Sequence, residues 1–120
     1  MVPMSELAEG ACVPCRGGVP PLTEAEAEAL RVEVPDWRLV TRDGILRIER
    51  AYAFPDFRRA LDFAVAVGEL AEREQHHPDL HVAWGKVVVE TWTHKIKGLH
   101  RNDFILAAKT DRIYERAGRT

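Results

Sequence analysis

Glu72-Arg-Glu-Gln-His76-His77-Pro78, followed beyond a strand-like run by Thr93-His94, is the stretch of this chain best equipped for chemistry. Histidine alone among side chains has an unperturbed pKa, about 6.5, that lets it give and take protons near neutrality. Three imidazoles and a carboxylate within about two dozen residues therefore point to general acid and base catalysis, each proton transfer contributing roughly 10²–10⁴-fold. Pro78 fixes the turn that aims the tandem pair. Glu72 lies one helical turn before His76 on the same face, where a carboxylate orients an imidazole. His94 arrives from the end of a separate strand, so only the fold can bring it to the pair.

Five histidines raise the question of zinc, but their spacing is not His-Glu-x-x-His or any other compact ligand set, and no metal is expected. His81 and His100 read as exposed polar positions. Cys12-Val-Pro-Cys15 is a lone Cys-x-x-Cys, with neither a second pair to complete a tetrahedral site nor the βαβ context of a redox motif. Trp37, Trp84 and Trp92 read first as packing residues.

The elements that must position these groups follow from period and punctuation. Residues 1–21 hold Pro3, Pro14, Gly17, Gly18, Pro20 and Pro21, a density of breakers that predicts a flexible arm, dispensable for chemistry. Thr23 and Glu26 form a capping-box pattern opening a short helix that ends before Pro35. Two strands, 37–40 and 45–54, flank Asp43-Gly44, a pair suited to the positive dihedral angles of a tight hairpin. Leu46, Ile48, Tyr52 and Phe54 share one parity, with Arg50 as the exception. From Asp56 the period becomes helical, with Phe57, Leu61, Ala64, Gly68 and Ala71 joined by Ala60, Phe63, Val67 and Leu70. Strand character returns at 80–84 and 86–94, turning near Gly85, and a last helix is expected from about 101 to 116, with Leu106, Ala107, Thr110, Ile113 and Tyr114 on one side. The order α-β-β-α-β-β-α predicts an α+β fold, a four-stranded antiparallel sheet covered on one face by helices.

Composition sets outer bounds. A chain of 120 residues, 46% apolar, fits one domain, here 22–120 after the arm. With 17 basic against 19 acidic side chains, it has no positive field for nucleic acid. It has no apolar run near the roughly 20 residues that span a bilayer, and its start lacks a secretory pattern, so a cytoplasmic protein is expected. The outer sheet face, with Val88 and Trp92, predicts a homo-oligomer, a dimer or a dimer of dimers.

Together these residues resemble a known signature. Glu72, His76-His77-Pro78, Trp84, the β-branched strand, Thr93-His94, Gly98-Leu99 and Asp103 look like the pattern of the pterin-4a-carbinolamine dehydratases. Tyr52-Ala-Phe54-Pro-Asp56-Phe57 with Ala60 is similar to that family's strand-to-helix junction. The resemblance runs from about residue 22 to 114. It implies dehydration of 4a-hydroxytetrahydrobiopterin to quinonoid dihydropterin, in support of tetrahydrobiopterin recycling after aromatic amino-acid hydroxylation. It also implies homodimers or homotetramers and no cofactor. By position it makes His76, His77 and His94 catalytic and pterin-binding, supported by Glu72, Pro78 and Asp103, with Trp84 and Thr93 against the substrate. Asp103 would either orient a histidine or complement a helix dipole. Two departures stand out: His100, a weaker N-cap, where the family usually has Thr or Ser, and Leu80 where it often has an aromatic. Proteins resembling this family can also act as dimerisation cofactors for a transcription factor. A protein-binding module and a dehydratase fold serving another metabolite are thus the alternative readings, neither with independent support in these residues.

Overall fold

The computed structural model describes residues 7–13 and 18–117. Helix α1 (Glu24–Arg31) opens on the predicted capping box, with the Glu26 N–H donating to Thr23 Oγ1 and the Thr23 N–H to the Glu26 carboxylate. The hairpin of β1 (Arg38–Arg42) and β2 (Ile45–Ala53) follows. Its turn residues Asp43 and Gly44 both have left-handed backbones, φ 55° and 74°, as a twist-matched two-residue turn requires. Helix α2 (Phe57–Glu74) is capped by Asp56, whose side chain accepts from the Arg59 N–H. Strands β3 (Asp79–Ala83) and β4 (Lys86–Thr91), a 3₁₀ turn (His94–Ile96) and helix α3 (Arg101–Arg116) complete the chain.

The four strands form one antiparallel sheet in the order β1-β2-β4-β3. The two hairpins therefore join through β2 and β4, which pair Ile48 with Thr91, Arg50 with Val89 and Tyr52 with Val87. Directly opposed residues share a face, so this register defines the inner one. Ile48, Tyr52, Val87 and Val89 are buried there against Phe63 and Val67 of α2 and Phe104 and Ala108 of α3. Arg50, the polar exception in β2, is satisfied rather than misplaced. Its guanidinium donates to Asp111 Oδ1 at 2.8 Å and lies over the Tyr52 ring, while Trp37 Nε1 (3.0 Å) and the Tyr52 hydroxyl reach the same carboxylate oxygen.

Three expectations change. On α2 the buried row is Ala60, Phe63, Ala64, Val67, Leu70 and Ala71; Phe57, at the first position of the helix, is 44% exposed. The outer sheet face is dominated by charge, not by Val88 and Trp92. A ladder runs from Arg38 to Glu49, Arg42, Glu90 and Arg47, with contacts of 2.6–3.2 Å. Third, the N-terminal segment is not loose where it is described. Leu7 and Ala8 are buried in the core, and Gly10 lies so close to α3 that a Cβ there would sit 3.3 Å from Ile105 Cδ1. Covered by the sheet on one side and by this segment on another, α3 is buried from Asn102 to Asp111 at every position except Lys109. Cys15 lies outside the described residues.

Candidate active site

The tandem histidines owe their directions to the end of α2. Gln75 adopts a left-handed backbone (φ 54°, ψ 41°), and both its N–H and that of His76 bond to the Ala71 carbonyl. This stop turns the chain so that His76 enters the protein while His77 stays outside, and Pro78 holds the exit extended into β3.

Inside, His76 meets Asp103 from the first turn of α3, Nε2 to Oδ1 at 2.6 Å. Asp103 is 0% exposed. Its carboxylate also accepts from Thr91 Oγ1 at 2.7 Å, Thr93 Oγ1 at 2.8 Å and the His100 N–H at 3.0 Å. Four donors on two oxygens leave it little rotational freedom, and the helix N-terminus adds favourable partial charge. Since the carboxylate only accepts, His76 donates from Nε2 and keeps Nδ1 as its basic nitrogen. His100 completes the arrangement, its Nδ1 accepting the Asn102 N–H at 3.0 Å. The histidine expected to be a weak N-cap thus caps α3, in reciprocal contact with Asp103.

Glu72 does not reach His76. Because α2 ends in a left-handed residue, the helical spacing between them is broken; Glu72 Oε2 instead meets His77 Nε2 at 2.7 Å on the surface. His94 starts the 3₁₀ turn and is exposed, yet its ring lies flat on Trp92, with centroids 4.0 Å apart and planes at 14°. The Arg47 guanidinium packs over the same indole at 4.6 Å. The loop is tied at its base by Thr93 and Gly98, the Thr93 N–H donating to the Gly98 carbonyl at 2.8 Å. Gly98 has no room for a side chain, since a Cβ would lie 2.6 Å from that of Pro21.

His76, His77 and His94 all line one cavity of about 480 Å³, a size suited to a small-molecule ligand. Two residues expected against the substrate are differently placed. The Thr93 hydroxyl is committed to Asp103, although the residue lines the cavity. Trp84 is 74% exposed at the β3–β4 turn, separated from His77 by the whole of β3, roughly 17 Å at the usual rise per residue.

A family model described as pterin 4 alpha carbinolamine dehydratase matches residues 20–113. The chain belongs to that family. A provisionally named pterin-4-alpha-carbinolamine dehydratase of Chlorobium luteolum is 53% identical over 112 residues, covering 93% of this chain and 98% of its own. Its counterpart in Syntrophotalea carbinolica is 52% identical over 112 residues, 93% and 100% of the two chains. Among solved structures, one titled transcriptional coactivator/pterin dehydratase from Brucella melitensis superposes with a TM-score of 0.71 at 32% identity, covering 78% of this chain and 97% of that one.

The site of this dehydratase-family chain also holds residues that sequence reasoning passed over. Cys12, Val13, Arg73, Trp92, Lys95 and Asn102 line the cavity, and Thr91 supports Asp103. Thr91 could have been found, since it shares its strand face with Thr93 and precedes it by two. Cys12 and Val13 carried no such signal, because their approach depends on the segment folding back over α3.

Proposed function

We propose that this protein dehydrates 4a-hydroxytetrahydropterins, of the tetrahydrobiopterin type, to the quinonoid dihydropterin and water. The observation that carries the reading is His76, locked by a wholly buried Asp103, facing the same cavity as a second imidazole, His94, fixed on Trp92. Dehydration breaks the C4a–O bond as the N5–H bond yields its electron pair to form N5=C4a. His76 takes the N5 proton on Nδ1, and Asp103 balances the imidazolium that results. His94 delivers a proton to the departing hydroxyl, which leaves as water. His77, oriented by Glu72 at the rim, binds the substrate. Proton transfers return both histidines to their starting states, so the cycle needs no further reactant. The product is one that a reductase would return to the tetrahydro state, which fits pterin recycling. The coactivator role in the neighbour's title calls for a protein-binding surface, and the histidine cavity offers no argument for one.

Spectroscopic decay of freshly generated 4a-hydroxytetrahydropterin, measured over the uncatalysed background, tests the reading. His76→Ala and His94→Ala are expected to slow the catalysed rate by about 10–10³-fold each, with a smaller loss for His77→Ala. Full activity in the His76→Ala/His94→Ala double variant would overturn it.

A further inference from the structure

We propose that residues Cys12 and Val13 form a substrate-contacting wall of the cavity, with Asn102 the latch that holds them there; this rests on the dehydratase reading above. Asn102 is 2% exposed and clasps Val13 as a neighbouring strand would. Its Oδ1 accepts the Val13 N–H at 3.0 Å and its Nδ2 donates to the Val13 carbonyl at 2.7 Å. One residue earlier the Cys12 N–H donates to Glu74 Oε1 at 2.9 Å, and the Cys12 thiol points at the Asn102 carbonyl, 3.6 Å away. Glu74 is itself tied to Lys109 in the middle of α3 at 2.5 Å, and through Glu74 and Asn102 the segment is fastened both to the end of α2 and to the start of α3. Leu7, fully buried, anchors its other end.

These two helix ends are the ones that present His76 and Asp103, and Cys12, Val13 and Asn102 line the same cavity as the three histidines. The wall is therefore built from the N-terminal segment, residues 12 and 13. It faces substrate without carrying any group that the dehydration uses. Contacts of that kind act alike on substrate and transition state, so their loss raises KM and leaves kcat nearly unchanged. Specificity for the pterin's non-reacting edge follows from the same placement, because Cys12 and Val13 border the cavity on that side, and a bulkier residue 13 would narrow it.

Cys12 supplies a readout independent of turnover. Burial, and then the nearby Glu74 carboxylate, push its thiol up to about 12, so the closed wall reacts slowly with alkylating agents. In a Cys15→Ser background, 7,8-dihydrobiopterin in the cavity is expected to slow Cys12 alkylation further, and Asn102→Ala to accelerate it at least about tenfold. With 4a-hydroxytetrahydropterin as substrate, Asn102→Ala and Val13→Trp are each expected to raise KM at least about fivefold while kcat stays within about twofold. Unchanged KM in both variants, with alkylation indifferent to dihydrobiopterin, would overturn the wall. If Asn102→Ala does not fold, Val13→Trp and the protection experiment decide. An unsubstituted protein that fails to dehydrate the substrate would overturn the catalytic reading instead, and protection of Cys12 alone would then settle the wall.

Discussion

Asp103 is the residue on which the site turns, because one buried carboxylate gathers a histidine, two threonines and a backbone amide from three segments, the end of α2, the end of β4 and the cap of α3. Asp103→Asn keeps the shape but presents an amide N–H₂ to groups that are all donors. The expected result is a loss of about 1–3 kcal/mol in stability and a fall in kcat of about 10–10²-fold with KM little changed. Urea unfolding beside steady-state kinetics would check both, and an unaltered kcat in the folded variant would remove Asp103 from the mechanism. Glu74 gives a second residue-scale prediction. Burial alone would raise its carboxyl, but the hydrogen bond from Lys109 and that from the Cys12 N–H outweigh it and hold the group below its ordinary 4.5. A carboxyl depressed in the folded state adds stability that is present above the unfolded value and lost as pH falls through the folded one. Glu74→Gln is thus expected to lower stability at pH 7 and to flatten the decline below pH 4.5, as denaturant midpoints measured across that range would show.

At the scale of elements, the stop of α2 matters more than the helix itself. Gln75 pays a steric cost for φ 54° that glycine would not, so Gln75→Gly is expected to stabilise the protein by about 0.5–1 kcal/mol without loss of activity. A lower thermal midpoint in that variant would mean that the glutamine side chain makes a contribution beyond the turn. The same stop separates the partners of the tandem histidines. A helix continued through residue 76 would have set His76 beside Glu72, on the surface; ending at Glu74, it sends His76 to Asp103 and leaves Glu72 for His77. On the far side of the cavity, the flat stack of His94 on Trp92 does for an exposed imidazole what the carboxylate does for the buried one.

For the whole molecule, the exposed surface of the sheet bears on assembly. The outer sheet face is laced with ion pairs, but β3 is an edge strand with its residues largely exposed, and Val82 and Trp84 stand out from it into solvent. An uncovered edge with apolar side chains is a pairing surface. Sedimentation at micromolar concentration is expected to show a dimer or a dimer of dimers, and Trp84→Lys to shift it toward monomer. A monomer that persists across a dilution series would remove this reading and leave Trp84 without an explanation.

What the sequence determined by itself was local: periods of two and 3.6, the Thr23 and Asp56 caps, the Asp43-Gly44 turn, and thus the order of elements and the α+β class. The signature spacing likewise placed His76, His77, His94 and Asp103 in one family pattern before any geometry was known. Such features are legible because near neighbours along the chain set them. Tertiary structure alone decided which carboxylate serves which imidazole, that His100 would cap α3, that Trp84 would stand apart from the cavity, and that Arg50 would find Asp111. It also docked residues 7–13 against α3, since breakers nearby forbid long helices and strands but do not forbid docking. Each of these depends on where chain segments dozens of residues apart come to rest, and neither the period nor the spacing of a sequence records that distance.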